Sequence, residues 1–267
     1  MISGSTRVFA ILGDPVAHSL SPVMQNAAFT ALGTRAVYVP FRCASDDVPG
    51  LIGALVRSGG GGNVTVPHKE TAAGAVDVCT ELTETVGACN TFWGENGGSV
   101  GDNTDVTGLL EALHELQAPE APWLIAGTGG AAHAAAVAAR DVGVAVAVTS
   151  RDDTRRREFE KWVSSLGVAL ASASECGVLI NSTPLGLKTG DPLPIGLDAA
   201  PRAEVALDMV YAAGETAWVR AIRPRVRRAA DGRTMLVAQG AAAFERWFPG
   251  KHAPREVMRA AVNAALR

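Results

Sequence analysis

The stretch from Trp123 to Thr149 constrains the fold more than any other. It opens with the apolar run Trp123-Leu124-Ile125-Ala126 and continues Gly127-Thr128-Gly129-Gly130-Ala131-Ala132-His133-Ala134. An alanine-rich segment follows to Val142, and then a second apolar run, Val144 to Thr149. The pattern predicts a strand, a tight turn over Gly127 to Gly130, a helix from Ala131 to Val142 and a second strand, which together make one βαβ unit.

The same alternation runs along nearly the whole chain, which predicts α/β architecture with a largely parallel sheet. Val8 to Leu12 and Ala36 to Phe41 read as strands. Between them Pro22 to Leu32 reads as a helix, with Ser21 as its N-cap, Pro22 at its first position and Gly33 as its stop. Val48 to Arg57 reads as a helix, the run Gly59 to Gly62 as a loop, and Asn63 to Val66 as a strand. Asp105 to Leu116 places Val106, Leu109, Leu110, Leu113 and Leu116 on one helical face. Further strands are predicted at Val178 to Asn181 and Val205 to Met209, with a helix after Gln239 and a terminal helix over Glu256 to Leu266.

Composition narrows the class. With 267 residues, 48% of them apolar, the chain can bury a large core, and its length suggests two domains. The net charge of −3, from 24 basic and 27 acidic residues, leaves no electrostatic footprint for nucleic acid. The cluster Arg223, Arg225, Arg227 and Arg228 reads as a solvated face. Cys43, Cys79, Cys89 and Cys176 are scattered without CxxC or histidine spacing, so neither a disulfide framework nor a metal site is expected. No secretory leader pattern is visible, and Arg140 and Asp141 interrupt the one long apolar run, so a cytoplasmic protein without a membrane span is expected.

The glycine turn carries the first chemical signal. Small residues between a strand and a helix let backbone amides approach a pyrophosphate, and the helix N-terminus adds partial positive charge. The turn departs from the commonest GxGxxG spacing because Gly130 directly follows Gly129. After the next strand comes Thr149-Ser150-Arg151-Asp152-Asp153-Thr154-Arg155. Arg151 and Arg155 suit a 2′-phosphate and favour NADP. Asp152 could instead accept from a free ribose hydroxyl, which keeps NAD as the alternative.

Four polar segments carry the candidates for a substrate site. In Asp14-Pro15-Val16-Ala17-His18-Ser19-Leu20-Ser21-Pro22, two serines at a helix start can hold a carboxylate without an arginine. Asn63-Val64-Thr65-Val66-Pro67-His68-Lys69 leads from a strand into a helix whose first turn holds Lys69, where the helix dipole disfavours a cation. A lysine kept there suggests chemistry, whereas His68 reads as a surface or packing residue. Gly101-Asp102-Asn103-Thr104-Asp105 precedes the helix that leads into the nucleotide region. Asp105 reads equally as an acidic helix-start residue, and Asn90, in Gly87-Ala88-Cys89-Asn90-Thr91, as a turn residue.

In order along the chain, these segments together with Asn181-Ser182-Thr183-Pro184-Leu185-Gly186 and Met235-Leu236-Val237-Ala238-Gln239-Gly240 resemble the shikimate dehydrogenase family. The resemblance implies an N-terminal α/β substrate domain and a Rossmann-type dinucleotide-binding domain with a cleft between them. Residues 1–104 and 236–267 would form the first and 105–235 the second, the C-terminal helices returning to the substrate domain. It implies that Ser19 and Ser21 bind the substrate carboxylate, that Thr65, Lys69, Asn90, Asp105 and Gln239 surround the ring hydroxyls, and that Tyr211 lies near the substrate. Lys69 and Asp105 would be catalytic. Cofactor contacts would come from Gly127, Gly129, Gly130, Ala131, Ser150, Arg151, Arg155, Met209 and Gly232. Gln25 stands where the family usually has histidine, Ser150 and Asp152 differ from the usual residues around the arginine, and Ala212 and Ala213 replace a stretch that often carries proline.

The expected activity is reversible NADP-dependent reduction of 3-dehydroshikimate to shikimate, by a monomer or homodimer with no nucleic-acid or membrane partner. Quinate or aminoshikimate dehydrogenase, with NAD or NADP, is the near alternative. A non-catalytic protein that binds shikimate or nucleotide is the alternative from another class.

Overall fold

The computed structural model describes residues 2–188 and 190–267. Along the chain the elements are β1 (Arg7–Gly13), α1 (Ser21–Ala31), β2 (Ala36–Arg42), α2 (Val48–Arg57), β3 (Gly61–Val64), α3 (Lys69–Ala73), β4 (Val78–Cys79), α4 (Glu81–Val86), β5 (Thr91–Glu95), β6 (Gly98–Asp102) and α5 (Asp105–Glu115). They continue with β7 (Trp123–Ala126), α6 (Gly130–Asp141), β8 (Val146–Thr149), α7 (Asp153–Ser165), β9 (Val178–Asn181), β10 (Val205–Asp208), α8 (Ala217–Ile222), β11 (Arg228–Ala230), α9 (Arg233–Trp247) and α10 (Arg255–Ala265). The chain divides into two compact units, Met1–Asp105 with Leu236–Ala265, and Val106–Met235 with Leu266–Arg267.

The first unit holds a six-stranded sheet in the order β2-β1-β3-β5-β6-β4. It is mixed, not largely parallel: β1 runs parallel to β2 and β3, while β5 runs antiparallel to both β3 and β6. The reason is local, since Asn96-Gly97 turns β5 back into β6 with Asn96 at φ 50° and Gly97 at φ 85°. Alternate residues of β1 serve opposite faces. Phe9 packs on Phe29 of α1 and on Trp247 and Phe248 at the end of α9, while Ala10 and Leu12 join Val48, Ile52, Val64, Ala72 and Phe92.

The second unit holds a five-stranded, all-parallel sheet in the order β11-β10-β9-β7-β8. Strand order reverses at β7, which has β8 on one side and β9 on the other, and in open α/β sheets ligands bind outside the carboxyl ends of strands at such a reversal. α6 lies close to its surroundings because Ala132 and Ala134–Ala139, apart from Val137, offer only methyl groups, all fully buried.

Three local expectations are corrected. Ser21 is not the N-cap of α1 but its first residue; Leu20 occupies the cap position, and Ser19 Oγ accepts the Ser21 amide at 3.3 Å. The helix starts one residue early because the Ser21 side chain is buried and bonded elsewhere, to Tyr38. The glycine run is not wholly a loop: Gly61 and Gly62 begin β3, which ends at Val64 instead of Val66. A Cβ at Gly61 would sit 2.5 Å from the Phe92 carbonyl, and one at Gly62 would strike the Ala10 carbonyl, so these glycines let the central strands close. Finally, the helix expected after Gln239 already starts at Arg233, and Gln239 lies within α9.

The arginine cluster is a paired surface. Arg223 bonds Glu215, Arg225 bonds Asp198, and Arg227 lies 3.5 Å from Glu204, while Arg228 donates to the Leu116 carbonyl. The four cysteines are free thiols, and burial pushes Cys89 up to about 12 and Cys176 up to about 11. Among the described residues no helix is long and apolar enough to cross a membrane.

Candidate active site

Lys69 and Asp105, 36 positions apart, form the centre of a buried polar network in the first unit. Lys69 Nζ donates to Asp105 Oδ2 at 2.6 Å, with the two side chains only 16% and 8% exposed. Lys69 opens α3, and its carbonyl accepts from the Cys89 amide at 2.9 Å, which ties the lysine to the segment carrying Asn90. His68 beside it is a packing residue, buried with one ring nitrogen 3.0 Å from Ser45 Oγ and the other 2.9 Å from the Cys43 carbonyl.

Asn90 is the hub. Its Nδ2 donates to Asp105 Oδ1 at 2.8 Å, and its Oδ1 accepts from the Thr104 amide at 2.8 Å and the Thr104 hydroxyl at 3.2 Å. Asp105 thus receives a cation on one oxygen and an amide on the other, at the start of an eleven-residue helix where negative charge is favoured. Each donor polarises the carboxylate in a region nearly closed to water, where such bonds are stronger than at the surface.

The turn before Asp105 is held from several directions, through residues that sequence reasoning did not single out. Asp102, buried, accepts from Thr80 Oγ1 at 2.6 Å, the Asn103 amide at 2.8 Å and Arg246 Nε at 2.8 Å. Asn103 spans the turn, donating to the Ala88 carbonyl at 2.7 Å and accepting the Asp105 amide at 3.0 Å. Asn63 donates to the Asn90 carbonyl at 3.0 Å. Nothing marks these residues in one dimension, and only their distant partners reveal their work.

The remaining expected substrate residues separate into smaller groups. Ser19 and Ser21 are joined by the amide bond described above. Thr65 follows β3 directly and lies beside Gly13, where an added Cβ would strike its methyl group. Gln239 turns back on α9, its Nε2 donating to the Leu236 carbonyl at 2.8 Å. Gln25 is fully buried and donates to the carbonyl of neighbouring Gly240 at 2.8 Å, while its Oε1 has no partner among the described residues. Gln25 therefore tethers α1 to α9 next to Gln239. Tyr211 belongs to the second unit.

In the second unit the glycine turn forms a cradle that suits a dinucleotide. Gly127 has φ 111°, and a Cβ there would lie 2.7 Å from Ser182 Oγ, while a Cβ on Gly129 would meet nothing within 4 Å and would fill the open space before α6. Gly130 and Ala131 form the first turn of the twelve-residue α6, so their amides face that space without intrahelical partners. At the end of β8, Ser150 Oγ accepts from the Asp152 amide at 3.2 Å, and Asp152 Oδ1 accepts the Thr154 and Arg155 amides at 2.9 and 3.0 Å. Those amide bonds, the one from Arg155 first, hold the Asp152 carboxyl below its ordinary value. Asp152 is the N-cap of α7 through Oδ1, with its Oδ2 3.8 Å from Arg155 Nε, and Arg151 and Arg155 are exposed. Gly232 lies against Met209, where a Cβ would strike the Met209 carbonyl.

Comparison with known proteins gives the family. Residues 11–92 match the shikimate dehydrogenase substrate binding domain and residues 232–262 the shikimate 5'-dehydrogenase C-terminal domain. The shikimate dehydrogenase (NADP(+)) of Synechococcus sp. (strain JA-2-3B'a(2-13)) is 36% identical, over 99% of this chain and 98% of the relative. The chain belongs to the shikimate dehydrogenase family. The family's shikimate dehydrogenase (NADP(+)) from Halobacterium salinarum is 37% identical over 97% of this chain and 99% of its own. The crystal structure of shikimate 5-dehydrogenase from Thermus thermophilus, in complex with NADP(H) and shikimate, superposes with a TM-score of 0.88 at 33% identity, covering 97% of this chain and 99% of that one.

Proposed function

We propose that this member of the shikimate dehydrogenase family interconverts 3-dehydroshikimate and shikimate with NADP. The observation that carries the reading is the buried Lys69–Asp105 ion pair with Asn90 on the second carboxylate oxygen. A protein that only bound shikimate would have no need of a shielded ammonium joined to a carboxylate. The activity shared by name among relatives that match the chain end to end supports the same reading.

The substrate domain comprises the residues around Lys69, and the dinucleotide domain those around Gly127. Ser19 and Ser21 hold the substrate carboxylate, and Thr65, Asn90, Gln239 and Tyr211 serve the ring and its hydroxyls. Lys69 donates a proton to the carbonyl oxygen as it becomes an alkoxide, and in the reverse direction takes it back. Asp105 keeps the Lys69 ammonium oriented toward that oxygen, so positioning and charge stabilisation lower the barrier together. The amides of Gly129, Gly130 and Ala131 hold the pyrophosphate beside Gly127, whose own amide is tied to the Thr149 carbonyl at 2.9 Å; Ser150, Arg151 and Arg155 hold the 2′-phosphate, and Met209 and Gly232 border the cofactor. NADP, when bound, supplies or accepts the hydride.

The free thiols suit a reducing cytoplasm, and the chain acts as a monomer or homodimer. The test is a matrix of shikimate, quinate and aminoshikimate against NADP and NAD, followed by the absorbance of the reduced nicotinamide. Turnover highest with shikimate and NADP is the expected result. No absorbance change in any combination would overturn the proposal.

A further inference from the structure

One buried tyrosine joins Ser21 to the polar network around Lys69 and Asp105. Tyr38 of β2 is 1% exposed, and its hydroxyl donates to Asn63 Oδ1 at 2.8 Å. The orientation of the Asn63 amide is settled by its other side, since Nδ2 donates to the Asn90 carbonyl. The Ser21 side chain hydrogen-bonds the same phenol, and burial holds that phenol well above its ordinary pKa, so it stays protonated and keeps its donor. Starting at Ser21, the path therefore runs through Tyr38 and Asn63 to Asn90, and from Asn90 to Asp105 and Lys69. Ser21, Tyr38, Asn63, Asn90 and Asp105 are all buried.

The backbone of Tyr38 is clamped as firmly as its hydroxyl. Asn26 of α1 donates to the Tyr38 carbonyl at 2.8 Å and accepts its amide at 2.9 Å, and the same Nδ2 reaches the Pro22 carbonyl at 2.8 Å. The start of α1, which carries Ser21, and the strand that carries Tyr38 are thus locked together by one side chain. The ring rests 5.9 Å from that of Trp247. Packing alone would be served by phenylalanine. A hydroxyl bonded on both sides in a region closed to water does something that packing does not require, because each of its partners would be left short of a bond without it.

We infer that Tyr38 is a positioning residue that sets the span between the carboxylate-binding serine and the Lys69–Asp105 pair. The inference rests on the shikimate reading of the pocket. A substrate held at its carboxylate by Ser21 presents its ring oxygen to Lys69 only if that span matches the ring, and the Tyr38 hydroxyl is bonded to both halves. Without it, the Ser21 hydroxyl and the Asn63 amide are free to reorient, and binding must order them.

Two measurements test this. The first compares wild type, Tyr38→Phe, Ser21→Ala and the double variant with shikimate at saturating NADP. Tyr38→Phe should lower kcat/KM by about 10-fold, almost all of it in KM, and should add no more than about 2-fold to the loss from Ser21→Ala, because partners in one network do not act additively. Losses that multiply, or a loss confined to kcat, would overturn the inference. The second keeps the hydroxyl and does not depend on the variant folding. The chain has two tyrosines, so labelling with 3-fluorotyrosine gives two fluorine resonances, assigned with Tyr211→Phe. The Tyr38 resonance should shift as shikimate is added to wild type and stay still in Ser21→Ala; an unmoved resonance in saturated wild type refutes the idea. Wild type that fails to oxidise shikimate at all would count against the proposed function itself, which separates the two failures.

Discussion

Replacing Lys69 with methionine keeps the length of the side chain and removes its charge. The pair it breaks is nearly closed to solvent, and loss of one partner from a buried pair costs roughly 3–5 kcal/mol because the other charge is left uncompensated. Asp105 keeps the Asn90 bond and the favourable start of α5, so the lower end, about 3 kcal/mol, is expected. Urea denaturation at neutral pH measures it. The catalytic consequence is separate: removal of the proton donor should lower kcat by about 10²–10⁴-fold, with KM for shikimate within about 3-fold, since Lys69 acts on charge that develops only in the transition state. Adding Asp105→Asn to Lys69→Met removes the orphaned carboxylate, so the double variant should regain more than half of the lost stability and none of the turnover. Stopped-flow or steady-state absorbance of the reduced nicotinamide reads the second quantity. A folded Lys69→Met protein with kcat within about 10-fold of wild type would refute the catalytic assignment, and unchanged stability would refute the buried pair.

Three further outcomes are expected. Gly127→Ala forces a side chain into φ 111° and against Ser182 Oγ, so KM for NADP should rise by about 10-fold or more while shikimate binding to the cofactor-free protein, followed by calorimetry, is unchanged; normal NADP kinetics would show the turn to be uninvolved. Arg151→Ala should raise KM for NADP by about 10–100-fold and leave NAD kinetics nearly untouched, as expected for loss of one charge-assisted bond to a phosphate; an equal effect on both cofactors would remove Arg151 from that role. Asp208 is held above its ordinary pKa, chiefly by burial, despite bonds from Thr216, Val210 and Asn181. The folded chain then binds more protons than the unfolded chain from about pH 4 upward to the raised value, so this group's contribution to stability falls as pH rises through that window. Asp208→Asn should abolish that slope and gain on wild type as pH increases; parallel pH profiles in urea denaturation would refute it.

The candidate site residues were legible to different degrees, for identifiable reasons. Lys69 stood out because a cation at a helix start contradicts local electrostatics, and β7, β9 and α2 have the residue ranges expected from their pattern. Asn90 read as a turn residue because its partners, Asp105 and Thr104, are 15 and 14 positions away. Asp152 illustrates the opposite case. Its two readings could not be separated in one dimension, because an N-cap and a ribose acceptor both ask for a carboxylate in the same place; the fold shows that Oδ1 caps α7. Asn63, Asn103 and Tyr38 carried no signal of their own, since an amide or phenol becomes informative only when its buried partners are known.

By itself, then, the order of residues determined the α/β class, the glycine cradle with its arginines, and the candidates for chemistry, because periodicity, turn composition and charge act between neighbours in the chain. Tertiary structure alone decided that the first unit's sheet is mixed, that Ser21 turns inward to Tyr38, and that Lys69, Asn90 and Asp105 share one network. Those outcomes depend on which distant groups can satisfy one another once water is excluded, and hydrogen bonds between residues 15 to 36 positions apart leave no periodic trace in the sequence.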